Sequence, residues 1–307
     1  NVGGIALFIT FWIVVALFMF LNNVAGSYVK YLIGLFVGST LLFGVGMYDD
    51  RRALSSGIKI TVQLLSALVI IAAGVGITFI NNPFGGFIFL DQIKIPLSLF
   101  GGIYTITLLA DLFALIWIVG MINVINFLDG LDGLASGVAA IAFFVIYIVS
   151  INPLVAQPLS GIVALIALGV ILGFLPFNVN PARMFMGDSG SMLLGFLLAV
   201  LAIVSGGKVA TALLVLGLPI FDGLWVTTSR ITRGITPWTP GRDHLHHKLI
   251  DCGLSKRWVV IIFWAITALF GGIALLSGTW YKFIALIILV LLLLVGMIIV
   301  NKIPKKI

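Results

Sequence analysis

The chain has 307 residues, of which 62% are hydrophobic and 9% are charged, and its formal net charge is +7. Soluble domains carry charge at about a quarter of their positions, so this composition excludes a water-soluble globular protein and indicates one embedded in lipid. The single cysteine, Cys252, excludes an internal disulfide framework and a cysteine-cluster zinc site. Because the basic residues lie between apolar segments, lipid headgroups or a phosphorylated substrate are favoured over nucleic acid as partners.

Ten apolar segments are long enough to cross a bilayer, which takes roughly 20 residues. They are rich in Leu, Ile, Val and Phe with scattered Gly, as close helix packing in membranes favours. We therefore expect an all-α integral membrane protein, a polytopic bundle of about 10 transmembrane helices forming one domain over residues 1–307. The predicted spans are 4–21, 29–48, 58–79, 112–128, 134–151, 159–177, 189–205, 209–226, 258–277 and 282–300. The connection 81–111, which mixes Gly, Pro and alternating apolar residues, predicts a short hairpin or interfacial segment.

Charged residues are distributed unevenly between the two sides of the predicted bundle. If the connections alternate in side, 13 of the 17 Lys and Arg residues fall on one side. The positive-inside rule places that side, and the C-terminus with it, in the cytoplasm. All three His and eight of the ten acidic residues, every one an Asp, lie on or at the edge of the same side. We therefore expect a multi-pass membrane protein with an active site at its cytoplasmic face.

The first polar segment, 46–52 with sequence GMYDDRR, ends the second span. Asp49 and Asp50 repel each other, and the helix C-terminus on which they lie carries partial negative charge. Two interpretations remain open: a solvated turn neutralised by the two following arginines, or a cation site, since bound Mg²⁺ offsets both penalties. Lys59 and Gln63 follow on one helical face, and the lysine either extends to the lipid headgroups or binds a phosphate.

The second segment, 123–133, reads NVINFLDGLDG. Its polar side chains recur every third residue, so a helix places Asn123, Asn126 and Asp129 on one side. The Asp-Gly pairs that begin at Asp129 and Asp132 are also ordinary turn chemistry. The two asparagines lie within an apolar span, where polar groups cost free energy and tend to serve a cavity or ligand. This pattern favours a functional site.

The third segment, 176–190, reads PFNVNPARMFMGDSG and precedes a span. Asp188 has two interpretations: an N-cap of that span, or a carboxylate that holds a metal beside a phosphate at the helix N-terminus. Phe185 lies just outside the span, so it either stacks on a base or anchors the chain at the membrane interface. The residues alone leave both pairs of alternatives open.

The fourth segment is the long loop 227–257. Its three His are spaced unlike a zinc site and lack a nearby carboxylate pair. Attraction to a lipid surface explains the basic residues alone, whereas an anion-binding lid over a diphosphate explains the whole loop. We expect Asp222, at the edge of the preceding span, to orient this lid. The candidate ligands of the loop are Arg233, Arg242, His244, His246 and His247.

Carboxylates, amides and basic groups gathered on one face are typical of Mg²⁺-dependent phosphoryl transfer, in which positioning and charge neutralisation dominate. A nucleotide-sugar carrier is the alternative from another class. It needs polar groups at mid-bilayer and symmetry between halves, which these clean apolar spans do not offer. A purely structural membrane protein has no reason to collect eight Asp on one face.

The motifs, taken in order, resemble those of the polyprenyl-phosphate N-acetylhexosamine-1-phosphate transferases. The resemblance covers residues 1–257 through the strings VGGIA, GxxDDR, WIVGMINVINFLDGLDGLA, FNVNPARMFMGDSGS, PIFD and DHLHHKL. The HxHH form is similar to the N-acetylglucosamine branch. The alternative is the phospho-MurNAc-pentapeptide translocase branch, which typically has three consecutive His followed by Phe-Glu. The resemblance also implies one further helix before Asn1.

The resemblance implies transfer of N-acetylhexosamine-1-phosphate, GlcNAc-1-phosphate by preference, from a UDP-sugar to undecaprenyl or another polyprenyl phosphate. UMP is released, and the reaction is the first membrane step of cell-envelope polysaccharide synthesis. The expected cofactor is Mg²⁺, with Mn²⁺ open because both accept oxygen ligands. The expected partners are the UDP-N-acetylhexosamine, the polyprenyl phosphate and membrane lipids, and a homodimer is compatible with them.

The resemblance also implies roles for individual residues. Asp188 is expected to bind the metal directly, with Asp49 and Asp50 beside the metal and the attacking lipid phosphate. Phe185 is expected to stack on uracil, near Asn178. The further catalytic candidates are Asp129, Asp132, His244, His246 and His247. The further substrate-binding candidates are Lys59, Asn123, Asn126, Asp222, Arg233 and Arg242.

Overall fold

The computed structural model describes residues 2–24, 26–99, 102–206, 209–236 and 241–302. The predicted all-α membrane architecture is confirmed. The helices are α1 Gly3–Asn22, α2 Ser27–Asp49, α3 Ser56–Ala72, α4 Leu108–Leu128, α5 Leu134–Ile151, α6 Pro158–Asn178, α7 Gly187–Val204, α8 Val209–Val215, α9 Gly217–Thr232, α10 Leu245–Asp251, α11 Lys256–Leu276 and α12 Thr279–Lys302.

The number of membrane-crossing helices is smaller than the ten predicted. Within the described ranges, eight helices are long and apolar enough to cross, and α8 with α9 makes a ninth as a pair bent by 79°. The break in the predicted span 209–226 lies at Leu216, just ahead of Pro219. A proline has no N–H, so it is favoured in the first turn of a helix and bends or ends a helix further along. The predicted span 58–79 becomes the 17-residue helix α3, since Gly74 follows with a φ of +98°.

The predicted hairpin region between α3 and α4 contains two antiparallel hairpins. Strands β1 Phe79–Asn81 and β2 Phe87–Phe89 pair in the first, with Ile80 opposite Ile88. Strands β3 Lys94–Leu99 and β4 Gly102–Thr107 pair in the second, with Ile95 opposite Ile106. These alternating β-branched residues suit a pleated strand. Together the hairpins connect α3 to α4 at one end of the bundle.

Helix α7 forms the centre of the bundle, and its residues from Ser189 to Ile203 are all buried. It packs against α1, α2 and α4, and glycines on the neighbouring helices permit the close approach. A Cβ on Gly46 of α2 would collide with the backbone of Ser189. A Cβ on Gly195 of α7 would lie 2.7 Å from the Cα of Ile122 in α4. This packing brings the polar ends of α2, α4 and α7 together.

The two ends of the bundle differ in chemistry. The site end is the one that carries Asp49, at the end of α2, and Asp188, in the first turn of α7. The opposite end carries the two hairpins. Helices α2 and α6 run toward the site end, whereas α3 and α7 run away from it, so each contributes one terminus to each end.

Candidate active site

Two carboxylates from different helices share the ammonium group of Lys59. Its Nζ lies 2.6 Å from Oδ2 of Asp49 and 2.8 Å from Oδ2 of Asp188. The side chains are 11% to 28% exposed, so water screens the pairs only partly. The other oxygen of Asp49 accepts the backbone N–H of Leu54 at 2.6 Å. Asp49 is therefore neutralised by a lysine ten residues away, and the solvated turn is excluded.

Asp50 caps helix α7 from outside. Its Oδ1 accepts the backbone N–H of Asp188 at 3.0 Å, and its Oδ2 accepts the Ser189 hydroxyl at 2.7 Å. The N-cap position itself is held by Met186, which makes no side-chain cap hydrogen bond. The interpretation of Asp188 as an N-cap is therefore wrong. Because α2 supplies the cap, the Asp188 carboxylate stays available for Lys59 and for a ligand.

Amide side chains link α3, α4 and α7 just behind these carboxylates. The Nδ2 of Asn123 donates to Oε1 of Gln63 at 2.7 Å, and Gln63 is buried. The Nδ2 of Asn126 donates to the Ser191 hydroxyl at 2.9 Å. Paired polar groups of this kind are tolerated in an apolar bundle because each satisfies the other. Asn123 and Asn126 therefore fix the spacing of the helices that carry Lys59 and Asp188.

Hydrogen bonds link the turn after α4 to the segment before α7. Oδ2 of Asp132 accepts the Nδ2 of Asn180 at 3.0 Å and the backbone N–H of Ala182 at 3.2 Å. Asn178 is buried, and its Oδ1 accepts the Ser136 hydroxyl at 2.6 Å. These bonds hold in place the segment that carries Phe185, whose side chain is 56% exposed.

Trp264 of α11 also contacts the turn after α4. The sequence motifs did not predict this contact. The indole Nε1 donates to the carbonyl of Gly133 at 3.2 Å. The ring lies over Gly137, where any Cβ would collide with it. In the sequence, the only signal for this contact is a pair of glycines four residues apart, which leaves room for a large aromatic side chain from elsewhere in the chain.

Asp129 faces a concentration of negative charge at this turn. Burial, then the carboxylates of Asp188, Asp50 and Asp132, raise the pKa of Asp129 from 3.8 to about 8. A carboxyl group in such a place is favoured in its neutral form unless a cation lies beside it. Asp129 is thus a group whose charge depends on what occupies the site.

We expect Asp129→Asn to stabilise the metal-free protein more at pH 8 than at pH 5. The folded-state pKa is raised, so the stabilising contribution of Asp129 is complete below the unfolded pKa near 3.8 and is lost as pH rises through about 8. Asparagine does not ionise, so the variant does not lose this stability as the pH rises. Melting temperatures in EDTA at the two pH values test it, with Asp91→Asn as control, and an equal difference at both values contradicts it.

The histidine loop is anchored on α9 by Asp222, which is 3% exposed. Its Oδ2 lies 2.9 Å from Nδ1 of His244, and its Oδ1 accepts the backbone N–H of Leu245 at 2.8 Å. Asp222 thus contacts the start of the histidine segment, and its role in orienting a lid stays a prediction. Residues 237–240 of the loop, together with Lys208, Lys305 and Lys306 of the charge pattern, lie outside the described residues.

His246 lies fully buried between the other two histidines and the turn after α4. Its ring is 4.2 Å from that of His247, and a Cβ on Gly130 would lie 2.7 Å from its Nε2. Neither ring nitrogen has a hydrogen-bond partner among the described residues. Burial, then the neighbouring His247 and His244, lower the pKa of His246 to about 3. The neutral ring therefore lies against the carboxylate turn with its polar atoms unsatisfied.

The arginines of this region differ in burial and in whether they line a cavity of the site. Arg230, in the last turn of α9, is 4% exposed, and its NH2 lies 3.0 Å from Oδ2 of Asp243. Arg242 is 66% exposed at its side chain and pairs with Asp251, and Arg233 is exposed and donates to the carbonyl of Ser229. Neither of these two predicted residues lines a cavity of the site, whereas Arg230, which was not predicted, does.

Two cavities of about 320 Å³ each adjoin the carboxylates. The basic cavity is lined by Ser56, Lys59, Ile60, Gln63, Asn123, Asn126, Phe127, Arg230, Gly241, His244 and His247. The acidic cavity is lined by Asp50, Asp129, Gly130, Leu131, Asp132, Asn178, Phe185, Met186, Gly187 and Asp188. Lys59 lines the first and Asp188 the second, so their ion pair lies between the two. Ligands that occupied the two cavities would therefore meet at this ion pair.

The donor atoms around this ion pair fit a hard divalent cation. Carboxylate oxygens are the ligands that Mg²⁺ takes, and the oxygens of Asp49 and Asp188 already share one cation, the Lys59 ammonium. Within the described ranges, no three Asp, His or Cys side chains form a ready-made metal cluster. The chemistry of the site therefore suits Mg²⁺ or Mn²⁺ without a preformed cage.

Comparison with known proteins agrees with the sequence motifs. The family Glycosyl transferase family 4 matches residues 32–206. A Bacillus subtilis protein named "Probable undecaprenyl-phosphate N-acetylglucosaminyl 1-phosphate transferase" is 31% identical over 270 residues, covering 83% of this chain and 69% of that protein. The "Decaprenyl-phosphate N-acetylglucosaminephosphotransferase" of Mycobacterium tuberculosis is 31% identical over 248 residues, covering 74% and 58%. A "Phospho-N-acetylmuramoyl-pentapeptide-transferase" of Bacillus thuringiensis is 37% identical over 119 residues, 36% of this chain and 35% of that protein.

Proposed function

Because the chain belongs to glycosyl transferase family 4, we propose that it transfers N-acetylglucosamine-1-phosphate from UDP-N-acetylglucosamine to undecaprenyl phosphate and releases UMP. The observation that carries this proposal is the Lys59–Asp188 pair between a basic and an acidic cavity. A reaction between two phosphate esters needs two such compartments that meet at the reacting atoms. The charge pattern supports a cytoplasmic position for the site end.

The basic cavity suits the phosphate of the lipid acceptor. Lys59, Arg230 and His247 line it, and cationic donors of this kind bind phosphate oxygens strongly. The apolar side chains of Ile60 and Phe127 line the same cavity, which suits the first carbons of a polyprenyl chain. Asp222 would hold His244 in place at its wall, so we assign Asp222 as a positioning residue.

The acidic cavity suits the nucleotide and the diphosphate. Phe185 offers an exposed aromatic face for the uracil ring, and the hydrogen bonds of Asp132 and Asn178 hold its segment in place. Asp188, with Asp49 and Asp129 close by, would hold Mg²⁺. When bound, that ion supplies neutralising charge for the diphosphate and for the departing UMP.

The chemistry then needs little from a general base. A phosphate monoester has a second pKa of about 6, so the lipid phosphate is mostly a dianion near neutral pH. One of its oxygens attacks the β-phosphorus of the UDP-sugar and forms a new P–O bond. The bond from that phosphorus to the bridging oxygen breaks, and UMP leaves with the electron pair. Lys59 places positive charge beside the reacting oxygens throughout.

The proposal is tested by UMP release from the purified protein with undecaprenyl phosphate, UDP-N-acetylglucosamine and Mg²⁺. We expect release that needs both the lipid and the metal and that EDTA stops. The phospho-MurNAc-pentapeptide transfer of the Bacillus thuringiensis relative is the second candidate. Release with UDP-MurNAc-pentapeptide but not with UDP-N-acetylglucosamine would establish that candidate instead, and folded protein inactive with both donors would contradict the proposal.

Phe185→Ala should raise the KM for the UDP-sugar about tenfold to a hundredfold while the KM for undecaprenyl phosphate stays unchanged. Stacking of a base on an aromatic ring contributes about 1–3 kcal/mol, and each 1.4 kcal/mol is about a factor of ten. Phe185→Tyr retains the ring and serves as the matched control. Steady-state kinetics with each substrate varied in turn measures both constants. An unchanged donor KM in the alanine variant would remove Phe185 from the donor site.

A further inference from the structure

A cavity of about 480 Å³ lies at the opposite end of the bundle, remote from the site. Its walls come from the start of α2, the turn after α3, the start of α6 and the end of α7. The volume falls within the range of small-molecule sites, about 300–1,000 Å³. Its polar lining includes the side chains of Tyr28, Lys30, Tyr31, Gln157 and Ser160. Nothing in the proposed transfer reaction uses this cavity.

A buried and unsatisfied hydroxyl group adjoins this cavity. Tyr31 is only 7% exposed, and its hydroxyl has no hydrogen-bond partner among the residues that the structure describes. A tyrosine hydroxyl usually finds a partner when it is buried, and leaving it without one costs about 1–3 kcal/mol. Tyr31 also lines the cavity, and because its hydroxyl is covered by neighbouring atoms, the ring has to turn for the hydroxyl to bond to a ligand there.

The lining favours an anion. Lys30 brings a positive charge, and the hydroxyls and the amide offer further hydrogen-bond donors. No carboxylate is among the described residues that line the cavity. Beyond the wall, Oδ2 of Asp111 accepts the backbone N–H of Thr107 at 2.8 Å, while its Oδ1 lies 3.5 Å from the position that a Cβ on Gly76 would take. One of its two oxygens is thus engaged at the start of α4.

The position of the cavity favours a phosphate group. It lies at the termini of helices long enough to span the membrane, which is the level of the lipid headgroups. A lysine at this level extends its ammonium group among the lipid headgroups. We propose that this cavity binds a phosphate group, supplied by a phospholipid headgroup or by free phosphate, with Lys30 and Tyr31 as its ligands.

The phosphate site adjoins one end of four helices. The opposite ends of the same helices carry residues of the proposed active site. Helix α2 carries Asp49, α3 carries Lys59, α6 carries Asn178 and α7 carries Asp188. A phosphate held among these four termini stabilises their mutual packing without touching the reacting groups. Binding therefore raises the melting temperature of the protein by mass action.

The test is thermal unfolding of the full chain in detergent after removal of lipid, with three additives in separate titrations. These are phosphatidylglycerol, diacylglycerol with the same acyl chains, and inorganic phosphate. We expect phosphatidylglycerol to raise the melting temperature and diacylglycerol to leave it unchanged. A rise with inorganic phosphate alone supports the site and identifies free phosphate as the source. Equal rises with phosphatidylglycerol and diacylglycerol overturn the proposal.

Variants make the test specific to this cavity. Tyr31→Phe removes only the hydroxyl and should weaken the effective affinity about tenfold, as should Lys30→Gln. Without additive, Tyr31→Phe should be at least as stable as the native protein, because it deletes an unsatisfied group. Lys94→Gln is the matched control, since Lys94 is an exposed lysine at the same end that pairs with Asp91. Native affinity in both cavity variants overturns the proposal.

Discussion

Asp188→Asn is expected to lower kcat at least about a thousandfold while the bundle stays folded. The carboxylate carries charge at the point where the two cavities meet, and losing one such preorganised group costs about 10²–10³ in rate, to which weakened metal binding adds. The fold should persist because Asp50 binds the backbone N–H of residue 188 and not its side chain. UMP release at saturating substrates and Mg²⁺ measures the loss.

The control for this variant is Asp91→Asn. Asp91 pairs with Lys94 on the exposed surface of the opposite end, so its neutralisation should leave kcat at the native value. The melting temperature of each variant establishes that it is folded. If Asp188→Asn retains more than about a tenth of native activity, the Asp188 carboxylate is not at the reacting centre.

Lys59→Gln is expected to abolish activity and also to lower the stability of the metal-free protein. Without the ammonium group, the carboxylates of Asp49 and Asp188 face each other without a cation, and breaking a buried ion pair costs about 3–5 kcal/mol. We expect about 2–3 kcal/mol here because these side chains are partly exposed. Melting temperatures in EDTA measure the effect.

Added Mg²⁺ should restore much of the stability of Lys59→Gln and little of its activity. The metal can neutralise the two carboxylates, but it cannot replace the donor that Lys59 presents to the basic cavity. The control is Lys94→Gln, an exposed pair for which the loss should stay below about 1 kcal/mol. A melting temperature unaffected by the Lys59 change in EDTA would show that the shared ion pair contributes nothing to the fold.

The grouping of the site residues follows from sequence periodicity and alternating topology. Asp49, Lys59, Asn126 and Asp188 all lie near one terminus of an apolar span, so alternating spans place them at the same end. Their pairing depends instead on long-range packing. The approach of α2 to α7 requires Gly46, and a local pattern around either helix does not contain that contact.

The differences from prediction have the same origin. Whether an arginine points into a cavity depends on the path of the loop, so Arg230 and Arg242 could not be separated from their spacing alone. Asn178 is predicted as a substrate ligand. It is buried, bonds to Ser136 and to the carbonyl of Met184, and lines the acidic cavity, so that role stays a prediction. The bend between α8 and α9 lies beside Pro219. Proline is common in the first turn of a helix, so its presence there does not predict a 79° change in direction.

The most direct test of the transfer itself follows the β-phosphorus of the donor. The purified protein is incubated with Mg²⁺, undecaprenyl phosphate and UDP-N-acetylglucosamine labelled at the β-phosphate, and the label is counted in the lipid phase. Sugar-1-phosphate transfer carries the label into the lipid together with the sugar and leaves unlabelled UMP in water. If the sugar enters the lipid phase while the label remains in water as UDP, the protein transfers the sugar alone and the proposed reaction is wrong.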